Sequence, residues 1–143
     1  MELLKYVKDV AKEHYKEKTY KHVLRVAMYV CEDNTIPEDL RDLSTILAIC
    51  HDLKEDTNWN GEIPKELFPD FDLEYFNYCL DLLTHNVEKE TYNEYIQKIK
   101  SNYKKTPEVY FVKKADIKDH LILKDTLTPK LKDKYLDALR YFL

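Results

Sequence analysis

One glycine, Gly61, stands among 143 residues, and no other feature narrows the fold as much. Glycine supplies the positive φ that two-residue hairpins and many tight turns demand. With one glycine and 5 prolines, a chain of this length has little material for a many-stranded β-sandwich or barrel. The same scarcity removes phosphate-cradling loops, because neither a Walker A sequence nor the dinucleotide fingerprint can be built on a single glycine.

Helical periodicity fills the space that is left. Leu3, Val7, Val10, Ala11 and His14 fall on one stripe of a first helix, and His14 reads as structural there. Thr19 is the expected N-cap of a second helix, with Val23, Val26, Ala27 and Val30 inward. After a break at Asn34–Ile36, Pro37 suits the first turn of a third helix carrying Leu40, Leu43, Ile46, Leu47 and Cys50. A polar connection over Asp56–Gly61 precedes one helical turn at Pro64–Leu67, then helices over Leu73–Thr84 and Tyr92–Tyr103. Thr106-Pro107 and Thr128-Pro129 each read as an N-cap with a first-turn proline, opening helices over 107–124 and 129–142. Glu108–Val112 is the sole strand candidate, and it fits a helix better. The expectation is one all-α domain over residues 1–143, a length and a 44% hydrophobic content that support a real core.

Charge and cysteine usage bound the partners. A net charge of −4 argues against a dedicated nucleic-acid binder. No apolar stretch approaches the roughly 20 residues of a membrane span, and the amphipathic start Met1-Glu2-Leu3-Leu4-Lys5 does not read as a signal peptide. Cys31, Cys50 and Cys79, odd in number and without a Cys-x-x-Cys, point to reduced thiols in a cytoplasmic protein. Two aromatic groups, Tyr135–Leu143 and Phe68–Phe76, read equally as core or as a dimer surface, so monomer and homodimer both stay open.

The informative anomaly is a set of polar side chains on apolar faces. His51 follows Leu47 by four and Leu43 by eight, continuing the buried stripe, with Asp52 at its edge. Asp116 follows Val112 by four and Val109 by seven, and His22 precedes Val26 by four. Buried carboxylates need compensation. One reading satisfies each separately, a histidine on a carbonyl and an aspartate on a lysine or arginine. The other converges His22, His51, Asp52 and Asp116 on one divalent cation, a ligand set compatible with Mn²⁺, Fe²⁺, Zn²⁺ or Ni²⁺. Glu55 lies four residues after His51, and Asp56 four after Asp52. Beside a metal, such acids are general-base candidates.

With those residues in order, the chain resembles the HD-domain metal-dependent phosphohydrolases, whose pattern of a first His, an adjacent His-Asp and a later Asp maps onto His22, His51-Asp52 and Asp116. Within them it is most similar to RelA/SpoT-type hydrolase domains that remove pyrophosphate from (p)ppGpp, and to small stand-alone HD proteins of bacteria and phages. The carrying segments are Tyr20-Lys21-His22, Leu47–Thr57 with its His-Asp-x-x-Glu-Asp, Val112-Lys113-Lys114-Ala115-Asp116, and Leu83-Thr84-His85 with Tyr92-x-x-Tyr95-Ile96. The resemblance covers about residues 11 to 121.

The resemblance implies an HD-type helical fold and Mn²⁺ as the favoured ion, with Mg²⁺ also compatible. It implies that Glu55 and Asp56 organise the attacking water, and that Lys113 stands at the family's lysine position. Tyr92, Tyr95, His85 and His120 are the further candidates for contact with a nucleotide-like substrate, each readable also as packing. The chain departs from the pattern twice: only Lys16, Glu17 and Lys18 stand where a basic loop contacts guanine, and His120 replaces an Asn four residues after the last Asp. The implied activity is hydrolysis of a phosphate ester or pyrophosphate. A nucleoside 5′-monophosphatase and a nucleotide-sequestering module without turnover are the alternatives.

Overall fold

The computed structural model describes residues 2–60, 62–123 and 126–143, so Gly61 and the last residue of the helix expected over 107–124 lie outside the described residues. The chain is all-α, with no strand among the described residues: α1 (Glu2–His14), α2 (Glu17–Glu32), α3 (Glu38–Cys50), α4 (Leu53–Asp56), α5 (Leu73–Leu83), α6 (Tyr92–Ser101), α7 (Pro107–Ile122) and α8 (Pro129–Leu139), followed by a 3₁₀ turn at Arg140–Phe142.

Local chemistry sets most of these boundaries. Asp72 caps α5 by accepting the Tyr75 amide at 3.0 Å. Thr91 and Glu94 close a reciprocal capping box on α6, and Thr128 caps α8 through the Leu131 amide. The turn expected at Pro64–Leu67 forms, its Leu67 and Phe68 amides donating to the Pro64 carbonyl.

The helices expected over Leu73–Thr84 and Tyr92–Tyr103 end at Leu83 and Ser101, and three N-terminal details also differ from the sequence reading. α2 starts at Glu17, with extended Lys16 (φ −66°, ψ 154°) in the cap position, so Thr19 lies inside the helix. Pro37 takes the cap position of α3 and not its first turn. Thr106 precedes α7 but makes no cap; its hydroxyl donates back to the Asn102 carbonyl.

The core gathers around α7, which packs against α2, α3, α5, α6 and α8. Val109, Val112 and Ile117 of α7 are almost wholly buried, as are Val26 of α2, Leu47 of α3 and Phe76 of α5. Each large aliphatic side chain enclosed this way contributes roughly 1.5–3 kcal/mol. A helix covered on so many sides must also bury polar residues, and α7 buries Lys113, Asp116 and Asp119. Of the aromatic groups that left a dimer surface open, Phe76 and Phe142 are core residues, while Leu143 is exposed. No helix is long and apolar enough to cross a membrane, among the described residues.

Candidate metal centre

The junction of α2, α3 and α7 carries the polar set. His22 lies in the second turn of α2 and Asp116 midway along α7, both buried. α3 ends at Cys50; His51 keeps helical geometry, and Asp52 then adopts φ −100°, ψ 0° before α4 starts at Leu53. That bend turns the Asp52 carboxylate back across His51 rather than letting it run on along α3. The Oδ2 atom of Asp52 comes 3.3 Å from His51 Nε2 and 3.6 Å from His22 Nε2. The Oδ1 atom of Asp116 comes 2.9 Å from His22 Nε2 and 3.2 Å from His51 Nε2. One donor atom from each of the four side chains lies within 4.8 Å of every other.

These separations can be tested against a coordination sphere. Donors on bonds of about 2.1 Å stand about 3.0 Å apart at right angles and about 3.4 Å apart in a tetrahedron. The four measured edges lie in or close to that range and the other two lie within 4.8 Å, so the donor set suits a first-row divalent ion.

Both imidazoles are also oriented for the task. His51 Nδ1 donates to the Ala48 carbonyl at 2.6 Å; a carbonyl only accepts, which puts the proton on Nδ1 and leaves the Nε2 lone pair for a metal. His22 Nδ1 lies 2.6 Å from Asp119 Oδ2, the carboxylate–histidine arrangement that fixes ring orientation and raises ligand basicity.

The carboxylates around the imidazoles favour positive charge at this point. Burial disfavours charged His51, yet the Asp52 and Asp116 carboxylates push it up to about 9. His22 is raised too, against its own burial, mainly by Asp116. Burial likewise opposes ionisation of Asp116, but Lys113 and His51 hold its carboxyl well below the usual range. Lys113 Nζ bonds Asp116 Oδ2 at 2.8 Å, leaving Oδ1 to the histidines.

Asp119 was not legible as part of this set. It is fully buried and accepts from Arg25 Nε (2.9 Å), an Arg25 terminal nitrogen (3.1 Å) and the Tyr29 hydroxyl (3.1 Å) besides His22. The available signal was a pair of i,i+3 spacings on facing helices, His22 with Arg25 and Asp116 with Asp119.

The remaining candidates separate into two chambers that share Asp52, His120 and Tyr135. The larger, about 310 Å³, is walled by Lys18, Arg25, Asp56, Leu123, Leu127 and Leu131 among others. The smaller, about 140 Å³, holds Glu55, His85, Tyr92, Lys113 and Lys134. Glu55 and Asp56, adjacent in sequence, therefore face different spaces. Burial raises both carboxyls above their ordinary values, and the Asp52 charge adds to it. Glu55 also accepts the His85 amide, which fixes it at the chamber wall.

His120 Nε2 lies 3.3 Å from Asp116 Oδ1, with its ring parallel to Tyr135 at 4.7 Å. His85 stacks on Tyr95 and its Nε2 donates to the Glu90 carbonyl. Tyr95 is buried and its hydroxyl donates to the Leu83 carbonyl, so its ring serves mainly as a floor beneath His85 and Lys113. Lys54, outside the set, pairs with Asp81.

No protein-family model matches the chain, and comparison with curated proteins finds no match.

Proposed function

We propose that the protein is a metal-dependent phosphohydrolase acting on a phosphate ester or pyrophosphate of a nucleotide-like small molecule. The observation that carries this reading is the four-donor cluster with both imidazoles anchored through Nδ1. Its resemblance to the HD-domain pattern supplies the reaction class and favours Mn²⁺, and (p)ppGpp-type alarmones are the leading substrates. His22, His51, Asp52 and Asp116 would hold the divalent ion, which when bound would polarise a phosphoryl oxygen and lower the pKa of a bound water.

The chain's own groups do the rest. Glu55 stands at the small chamber's wall and accepts the proton of the attacking water; its raised carboxyl pKa suits a general base closer to neutrality. Lys113 neutralises charge that builds on the phosphoryl oxygens. His120, beside Asp116 and open to both chambers, bonds the substrate. The larger chamber, at the low end of small-ligand site volumes, takes the organic portion against its leucine wall.

The test is metal analysis of purified protein, then a nucleotide screen with that metal and product identification. Pyrophosphate release supports the alarmone-type reading, and orthophosphate alone supports a nucleoside monophosphatase. Tight nucleotide binding without turnover under any divalent metal would replace hydrolysis by sequestration.

A further inference from the structure

The small chamber contains a lysine that the metal cluster does not explain. Lys134, on α8, places its Nζ 4.2 Å from the Tyr92 ring centroid, and Lys113 Nζ lies 5.8 Å from the same centroid. Lys113 pairs with Asp116 through one of its three ammonium protons, whereas Lys134 has no ion-pair partner among the described residues. Tyr92 lines the chamber, and its hydroxyl is buried with no hydrogen-bond partner. Lys113, Asp116, Tyr135 and Glu55, whose charges act on that hydroxyl, all line the same chamber. Desolvation and the nearby Lys113 lower the Lys134 pKa, the mark of an ammonium held where another cation already stands. Two ammoniums and an unsatisfied hydroxyl around 140 Å³ make a cradle too small for a nucleoside and suited to a compact oxyanion.

We infer that this chamber is a phosphoryl-binding pocket in which Lys134 of α8 and the Tyr92 hydroxyl, together with Lys113, grip the phosphate oxygens. The inference deepens the proposed hydrolytic reading and takes its metal from it. Asp52, Glu55 and Asp116 also face the space, so the walls are net negative until a divalent ion joins them. Phosphate binding is therefore measured on metal-loaded protein. The substrate then lies with its phosphoryl end between α6, α7 and α8 and its organic portion toward α2. Lys134 is the contact that comes from the segment after residue 128.

The test uses calorimetric titration of Mn²⁺-loaded protein with inorganic phosphate, which carries between one and two negative charges at neutral pH. Lys134 is exposed, so its replacement leaves the fold intact, and a thermal melt checks this. Lys134→Ala should weaken phosphate binding roughly ten- to a hundredfold, the loss of one charge-assisted contact. Lys134→Arg should restore most of it, and Tyr92→Phe should weaken it several-fold. Lys132→Ala, which removes the same charge from an exposed position on the same helix, should change nothing. Wild-type affinity in Lys134→Ala, equal weakening in Lys132→Ala, or no phosphate binding by the loaded wild type would each overturn the inference. Because the readout is binding, phosphate affinity that depends on Lys134 in a protein that hydrolyses nothing would keep the pocket and remove the proposed activity.

Discussion

Asp119→Asn is the most informative single change, because it leaves every proposed metal ligand in place. In the wild type Asp119 Oδ1 accepts from Arg25 Nε and Tyr29, and Oδ2 accepts from Arg25 and His22 Nδ1. An asparagine presents one acceptor and one NH₂, so either orientation sets a donor against donors. With NH₂ toward His22, the imidazole must accept at Nδ1, which moves its proton to Nε2 and blocks the metal-facing lone pair. With NH₂ toward Arg25, the guanidinium loses its better contact and swings toward solvent. Loss of a hydrogen bond to a buried charged group costs about 1.5–3 kcal/mol. Arg25 is partly exposed and regains water, so about 2 kcal/mol of stability is expected to go. Metal affinity should fall tenfold to a hundredfold, the usual effect of removing a histidine's carboxylate partner. Urea unfolding gives the first quantity, and Mn²⁺ titration of the folded variant gives the second. Wild-type Mn²⁺ affinity in a folded Asp119→Asn protein would refute the argument that the Asp119 carboxylate strengthens His22 as a ligand.

Other perturbations separate the parts. His51→Ala and Asp52→Ala should abolish metal binding and hydrolysis together, while Glu55→Gln should retain the metal and lose about 10²–10⁴ in turnover; near-normal rates in Glu55→Gln would remove it as the base. Glu90, paired with Lys98, has a carboxyl held below its ordinary 4.5 despite partial burial. A depressed folded value makes this pair stabilising above pH 4.5 and progressively ineffective as pH falls below it, so Glu90→Gln should flatten the acid limb of a pH–stability curve. Burial pushes the Cys50 and Cys79 thiols up to about 12, whereas Cys31 is exposed. A thiol-specific reagent should therefore label one cysteine quickly in native protein and all three only after unfolding.

Much of the fold was legible because amphipathic helices announce themselves at spacings of three and four. The stripe on α2 is buried throughout, and Val7 on α1 and Leu47 on α3 are buried as expected; Val10, Leu40 and Leu43 are only half-buried, and α3 also buries Ser44, Ala48 and Ile49. α7 is the exception. It is buried on so many faces that polarity no longer marks orientation, and Asp119 reads in sequence as one more charge on a charged helix. The start of α2 is hidden in sequence because Lys16, at the cap position, carries no capping oxygen, while Thr19 inside the helix does. His22, His51, Asp52 and Asp116 stood out as polar interruptions of apolar stripes, and the structure brings all four together. What spacing alone could not supply was the bend at Asp52, the separate chambers that Glu55 and Asp56 line, and the arrival of α8 with Lys134. Both depend on how distant segments pack.

The central claim is that one divalent ion is shared by three helices. Anomalous diffraction from crystals grown with Mn²⁺ tests it most directly. The account predicts a single strong peak about 2.0–2.2 Å from His22 Nε2, His51 Nε2, Asp52 and Asp116 together. A peak elsewhere, or none at saturating Mn²⁺ or any other divalent metal that the purified protein retains, would contradict it.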